Sequence, residues 1–156
     1  MIKISTSILS STNRPDSINK LNKTTTDYIH IDVMDNIFVP NYQFPIEEIN
    51  KLITKSEKKV DIHLMTNDPE YYIDRINQNN NISNITIHLE IDKDIAYLTK
   101  KIKNLGYKVG LAIKPQTSIE LLKEYIEKIS SLTIDEQNLR NLYLRNIALG
   151  KVYGPN

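Results

Sequence analysis

Cysteine is absent from the 156-residue sequence, which excludes disulfide bonds and thiolate metal sites. Neither sign of charge is in strong excess, because 20 lysines and arginines face 19 acidic residues, for a net charge of +1. No basic block occurs, so the composition favours neither nucleic acid nor an anionic membrane as a partner. No apolar run approaches the ~20 residues of a membrane span, and the first residues, MIKISTSIL, lack the pattern of a signal peptide. We therefore expect a cytoplasmic protein.

The chain is long enough for one domain with a substantial core. Hydrophobic residues make up 40% and charged residues 25%, as in ordinary globular proteins. Short β-branched segments alternate with amphipathic ones, and the former are almost continuously apolar, which predicts a parallel sheet covered by helices. The predicted strands are 2–9, 28–33, 60–65, 82–89 and 108–113, and the predicted helices are 16–22, 46–55, one opening at 68–69, 94–105 and 118–129.

The pattern changes after residue 132. A helix is predicted over 136–149, with Asp135 as its N-cap and Gly150 at its end. No sixth strand is predicted before it. A closed (β/α)₈ barrel needs eight strands and typically ~250 residues, so about five βα units allow either a small open sheet or a partial barrel. We divide the chain into a βα region, 1–132, and a helical tail, 133–156.

All three histidines fall at the carboxyl ends of predicted strands, where ligands bind in parallel α/β proteins. Side chains alternate along a strand, so His30 and Asp32 share one face, and His63 follows on the next strand. Two imidazoles and a carboxylate suit Zn²⁺, Fe²⁺, Mn²⁺ or Co²⁺. A lone histidine on a strand is more often a hydrogen-bonded core residue. For this trio the metal site and the hydrogen-bonded cluster both stay open.

Other side chains at the same edge of the sheet favour simpler interpretations. His88 and Glu90 also share a strand face, but this pair is better explained as a rim histidine that Glu90 orients or solvates. Met34 and Met65 are most simply core or pocket wall.

Five segments resemble the ribulose-phosphate 3-epimerase family in order and spacing, over residues 1–132. The H-x-D-V-M-D…F-V-P-N block together with H-L-M is highly specific, although related ketohexose-phosphate epimerases share much of it. The segments are SILSS at 7–11, HIDVMDNIFVPN at 30–41, DIHLMTNDPEYYID at 61–74, ITIHLE at 85–90 and GLAIKPQTSIELL at 110–122.

This resemblance implies a TIM (β/α)₈-type barrel, here partial, with a divalent metal held by two histidines and two aspartates. The reaction implied is the interconversion of ribulose 5-phosphate and xylulose 5-phosphate, in the pentose phosphate pathway. His30, Asp32 and His63 match three of the metal ligands, and Asp32 also matches the base that removes the C3 proton. In such a site the metal polarises the substrate oxygens.

The resemblance also assigns residues to the substrate. Ser7 and His63 match substrate contacts, and Met34 and Met65 match thioether walls around the enediolate. The implied ligand is therefore a ketopentose phosphate.

Several family features have no match. The V-N-P-G-F-G-G-Q loop, the phosphate-binding glycine-rich loops and the aspartate that serves as fourth ligand and opposite-face acid are all missing. Thr6 replaces a usual proline, and Asn36-Ile37 replaces a usual glycine and a small or polar residue. We therefore expect an epimerase-like chain with impaired turnover.

One alternative is a non-catalytic partial barrel that binds a metal, a sugar phosphate or a partner chain. A different metal-dependent barrel, suggested by the tail alone, would need an H-x-H strand, which the sequence lacks.

An incomplete barrel also bears on assembly. The strands predicted at 2–9 and 108–113 would each keep an unpaired edge, and such edges recruit other strands. We expect self-association, most simply as an edge-to-edge or swapped homodimer, or else poor solubility.

Overall fold

The computed structural model describes residues 3–125 and the backbone of residues 131–134. The helix predicted over 136–149 lies outside these residues. Among the described residues, no helix is long and apolar enough to cross a membrane.

One seven-stranded sheet organises the chain, with helices between its strands. The strands are β1 (Ser5–Ser7), β2 (Tyr28–Asp35), β3 (Tyr42–Gln43), β4 (Lys59–Met65), β5 (Ile82–His88), β6 (Lys108–Ile113) and β7 (Ser131–Ile134). The helices are α1 (Arg14–Asn22), α2 (Ile46–Lys55), α3 (Pro69–Arg75) and α4 (Ile95–Asn104), followed by a 3₁₀ helix at Ile119–Leu122.

Six of the strands are parallel and lie in the order β1-β2-β4-β5-β6-β7. Strand order in space therefore follows the chain, as in the wall of a (β/α)₈ barrel. The short β3 is antiparallel to the end of β2. The predicted fold class, a partial barrel of parallel βα units, is confirmed.

The absence of a sixth parallel strand was a wrong prediction. β7 pairs with β6 from Gly110–Ser131 to Ile113–Ile134. Periodicity does not identify so short a segment, since four residues fit a strand or a turn of helix equally well. The edge of β6 is consequently paired, against expectation, whereas β1 pairs with β2 alone among the described residues.

The predicted fifth helix, at 118–129, is also corrected in part. The described portion is a 3₁₀ helix at Ile119–Leu122. Ser118 caps this helix by accepting a hydrogen bond from the Glu120 N–H. Local serine bonds of this kind favour turns and helix starts.

Alternation along β2 separates the core from the site. Ile29, Ile31 and Val33 are fully buried in the hydrophobic core, whereas His30 and Asp32 lie on the opposite face of the strand. Helix α2 contributes Ile49, Leu52 and Ile53 to the same core, one stripe of an amphipathic helix. Packing on one face of the sheet thus fixes which way the polar side chains point.

Candidate metal centre

The register of the strands brings the two histidines that are predicted metal ligands close together. β2 and β4 are parallel neighbours in which Asp32 pairs with His63 and His30 pairs with Asp61. Paired residues in a sheet project to the same face. His30, Asp32 and His63 therefore form one cluster on the same face of two adjacent strands. His30 is the third of the eight residues of β2, so it lies nearer the start of that strand than the sequence predicted.

The cluster has the dimensions of a cation site. One ligand atom from each of the three residues lies within 4.8 Å of the others. Asp32 Oδ1 lies 3.0 Å from His30 Nε2 and 3.3 Å from His63 Nδ1. A carboxylate oxygen facing two imidazole nitrogens is a donor set that fits Zn²⁺ and similar divalent ions. Their role as ligands stays a prediction.

The electrostatics of the cluster stabilise a positive charge. Burial opposes the charged form of His30, but hydrogen bonds to Asp32 and Asp61 outweigh it and raise the His30 pKa to about 10. Burial likewise opposes ionisation of Asp32, yet the two histidines hold the pKa of that carboxyl well below its usual range. Asp32 is thus a carboxylate, and the space beside it favours a proton or a metal cation.

Asp61 orients the outer side of His30. His30 Nδ1 donates to Asp61 Oδ2 at 2.9 Å, and Asn84 donates to Asp61 Oδ1 at 2.8 Å. Metal-binding histidines commonly give their second N–H to a carboxylate, which fixes the ring and raises its basicity. Sequence reasoning missed Asp61. The available signal was its position two residues before His63, on the same strand face.

Ser7 and the two methionines also lie on this side of the sheet. Ser7 ends β1 beside His30, and its hydroxyl donates to Asp32 Oδ2 at 3.0 Å. Met34 pairs with Met65 in the register of β2 and β4, one alternation beyond the Asp32–His63 pair. Both oxygens of Asp32 are therefore engaged, and thioether side chains follow the polar cluster toward the strand ends.

His88 and Glu90 extend the cluster onto β5. His88 Nε2 lies 2.9 Å from His63 Nε2, and the two rings are stacked with centroids 5.0 Å apart. Glu90 Oε2 lies 3.2 Å from His88 Nδ1, and Glu90 Oε1 accepts the Lys114 backbone N–H at 2.5 Å. The orienting role suggested for Glu90 agrees with these contacts.

Glu90 is held in its ionised form. Burial opposes this, but hydrogen bonds from His88, Thr117 and the Lys114 backbone lower the Glu90 pKa to about 2. A carboxylate therefore stands at the outer end of the line formed with His88 and His63.

Asp35 closes the loop that follows β2. Its Oδ1 accepts the backbone N–H groups of Ile37 and Phe38, and its Oδ2 accepts that of Asn67 at 2.7 Å. Asn36, which follows Asp35, has φ 61°, a left-handed conformation that asparagine tolerates better than most residues. Asparagine at this position is therefore compatible with the left-handed turn that follows β2.

The comparisons with known proteins identify the family that the sequence matches. The family model described as the ribulose-phosphate 3 epimerase family matches residues 3–138. Proteins named ribulose-phosphate 3-epimerase are 35% identical in Chlamydia pneumoniae, over 69% of this chain and 46% of the relative, and 30% identical in Schizosaccharomyces pombe, over 85% and 60%. One from Methanocaldococcus jannaschii is 32% identical over 81% of this chain and 53% of its own. The chain thus spans about half the length of these relatives.

Solved structures support the fold. The N-terminal domain of a putative aldolase from Bacteroides vulgatus has a TM-score of 0.57 at 18% identity, covering 95% of this chain and 60% of the other. A tryptophan synthase alpha chain from Legionella pneumophila has a TM-score of 0.54 at 12% identity, covering 95% and 67%. At these identities the likeness concerns the fold alone. Because its family model matches most of the sequence, the chain belongs to the ribulose-phosphate 3-epimerase family.

Proposed function

We propose that this chain provides the metal-binding side and one proton-transferring carboxylate of a ribulose-phosphate 3-epimerase site. The observation that carries the proposal is the convergence of His30, Asp32 and His63 ligand atoms within 4.8 Å. Family membership supports a ketopentose 5-phosphate as the substrate, because the relatives are named as epimerases of ribulose phosphate.

In this proposal His30, Asp32 and His63 hold a divalent cation. The bound ion would supply positive charge that stabilises the negative charge developing on the substrate oxygens. The two imidazoles are well suited to holding the ion, because burial and neighbouring carboxylates fix their positions. Zn²⁺, Fe²⁺, Mn²⁺ and Co²⁺ all accept this donor set.

Asp32 is proposed as the general base for C3. It would take the C3 proton of the bound ketose while the C–H electron pair moves toward the C2 carbonyl, giving a planar intermediate. Reprotonation from the opposite face inverts C3, and return of the proton by Asp32 restores the starting sugar. Ser7, which donates to Asp32 Oδ2, is proposed to contact the sugar, as is His63, with Met34 and Met65 as apolar walls.

Inversion requires an acid on the opposite face. The family's opposite-face aspartate and glycine-rich phosphate loops have no match in these 156 residues. We therefore propose that the chain by itself exchanges the C3 hydrogen with solvent and epimerises weakly or not at all. Removal and return of the C3 proton on one face would then occur without complete epimerisation.

The test is an NMR assay in deuterated water with ribulose 5-phosphate and added Mn²⁺ or Zn²⁺. We expect deuterium at C3 of recovered ribulose 5-phosphate, little xylulose 5-phosphate, and loss of the exchange in Asp32→Asn. Turnover near ~1–10³ s⁻¹ would contradict the proposed impairment. Metal binding without any exchange would favour the alternative, a non-catalytic partial barrel.

Two further expectations belong to the same proposal. A cytoplasmic location is supported by the name of a rice relative, the cytoplasmic isoform, which is 30% identical over 80% of this chain and 56% of its own. Self-association is supported by β1, which pairs only with β2 among the described residues.

A further inference from the structure

The loop that joins β2 to β3, residues 36–41, forms a cover loop beside the candidate site. Phe38 on this loop is 8% exposed, and its ring centroid lies 4.8 Å from that of His88, which is 2% exposed. His88 in turn stacks on His63, with ring centroids 5.0 Å apart. Phe38 therefore covers the pair of buried histidines next to the candidate metal position, whereas its neighbour Ile37 is exposed.

Lys114 follows the last residue of β6 and reaches the cover loop. His88 pairs with Ala112 in the register of β5 and β6, and paired residues project to the same face of a sheet. Lys114, two residues after Ala112, continues that alternation on the side of the site. Its Nζ donates to the Phe38 carbonyl at 3.1 Å, a hydrogen bond between residues 76 positions apart in the chain.

The same ammonium group also lies over the ring of Phe38. Lys114 Nζ is 3.6 Å from the ring centroid, well inside the ~6 Å range of a cation–π contact. One side chain thus contacts both the backbone and the ring of Phe38. Lys114 is itself held in place, because its backbone N–H donates to Glu90 Oε1 at 2.5 Å and its carbonyl accepts the Thr117 N–H at 3.0 Å.

We propose that Lys114 is a positioning residue that keeps the cover loop closed, holding Phe38 against His88 so that water is excluded from the two stacked histidines. The inference rests on the proposed function, which gives this closure its effect. Electrostatic interactions are stronger where water is excluded, and negative charge would develop on the substrate in this site. Lys114 acts through Phe38 and does not need to contact the sugar.

Other hydrogen bonds fix the shape of the cover loop without reaching β5 or β6. Asp35 accepts the backbone N–H groups of Ile37 and Phe38, and the Asn36 N–H donates to the Asn41 carbonyl at 2.7 Å. These bonds remain when the lysine is replaced, so the loop should open locally while the sheet stays folded. A hydrogen bond from a charged donor is strong enough to shift such an opening equilibrium by about 10-fold or more.

Labelling with diethyl pyrocarbonate, which acylates unprotonated imidazoles, tests the closure on the full metal-free chain. The three histidines lie in three different tryptic peptides, 24–51, 60–75 and 76–93, so mass spectrometry follows each of them separately. We expect labelling of His88 to be about 10-fold or more faster in Lys114→Met, which keeps the length of the side chain without its charge. Lys114→Arg keeps the charge and the donors and should restore slow labelling. Labelling of His30, which lies nearer the start of β2, should not change.

Lys93→Met is the matched control, since Lys93 lies in the segment after β5 and pairs with Asp68 instead. It should leave the labelling of His88 unchanged. Unchanged labelling of His88 in a folded Lys114→Met overturns the proposal, as does equally fast labelling in Lys114→Arg. Faster labelling of all three histidines together also overturns it, because that pattern reports a general loss of stability.

Should Lys114→Met not fold, the proton NMR spectrum of the unaltered chain decides. The ε-methylene protons of Lys114 should be shifted upfield by the ring of Phe38, and an ordinary lysine position for them overturns the proposal.

The assay with ribulose 5-phosphate separates this inference from the proposed function. Exchange of the C3 hydrogen should slow in Lys114→Met and recover in Lys114→Arg. Unchanged exchange in a Lys114→Met chain whose His88 is labelled would overturn the role of the closed loop in the reaction. If the unaltered chain shows no exchange, the proposed function fails, and the labelling experiment judges the closure by itself.

Discussion

His30 Nδ1 lies 2.9 Å from Asp61 Oδ2, while its other nitrogen, Nε2, lies 3.0 Å from Asp32 Oδ1. The imidazole thus lies between two carboxylates, Asp32 on its own strand β2 and Asp61 on the neighbouring strand β4. One of them is a proposed ligand, and the other orients the ring from behind. This relationship depends on the pairing of β2 with β4, in which His30 is opposite Asp61.

Asp61→Asn should weaken Zn²⁺ binding by about 10-fold or more. Asn84 donates to Asp61 Oδ1, so the amide oxygen of the variant stays on that side and its NH₂ group faces His30. The ring then loses the acceptor that keeps its hydrogen on Nδ1. Calorimetry with Zn²⁺ checks this, with Asp27→Asn as control, because Asp27 lies at the opposite end of β2 and bonds Lys3. Equal affinities in the two variants would contradict an orienting role for Asp61.

Local alternation explains which part of the site sequence reasoning could reach. His30 and Asp32 share a strand face whatever the rest of the fold does, and His63 follows on the next predicted strand. The contact of His63 with His88 was not predictable in this way. It requires β4 and β5 to pair in the register that sets His63 beside Thr86, two residues before His88.

The same distinction applies to the fold. Long apolar strands such as β2 and β6 were recognisable from their own residues, and the parallel sheet followed from their alternation with helices. The four residues of β7 carry little signal by themselves. Their strand conformation is seen only in their pairing with β6, a contact between segments that are distant in sequence.

Acid should destabilise the fold partly through Glu90. Its pKa is lowered from 4.5 to about 2, so its contribution is fully present above pH 4.5 and is lost as the pH falls toward 2. This lowering of the Glu90 pKa corresponds to a contribution of at most ~3 kcal/mol to the free energy of unfolding. Denaturant unfolding of the metal-free chain between about pH 6 and pH 3 measures this. The free energy of unfolding should fall less steeply with acid in Glu90→Gln, and parallel pH profiles would show that Glu90 does not contribute.

The left-handed residue Asn36 gives a test of the loop after β2. Asn36→Gly should change the free energy of unfolding little, because glycine adopts φ 61° without steric cost. Asn36→Val should lower it by about 1–2 kcal/mol, since a β-carbon in this conformation crowds the following carbonyl and valine is also β-branched. Urea midpoints of the two variants check the difference. A valine variant as stable as the glycine variant would mean that the loop relaxes out of the left-handed conformation.

Self-association should depend on the edge of β1. The backbone of Ile4, just before β1, is bonded toward β2, since its carbonyl accepts from Tyr28 N–H and its N–H donates to Asp27. Ile4 is 55% exposed, and no strand covers the other edge of β1 among the described residues. Open, apolar strand edges recruit further strands, and a lysine placed there opposes such pairing. Sedimentation velocity should therefore show association of the unaltered chain at micromolar concentrations and a shift toward monomer in Ile4→Lys. Ile37→Lys is the control and should leave association unchanged, because Ile37 is also exposed but lies in the loop after β2. A strictly monomeric unaltered chain would rule out assembly through β1.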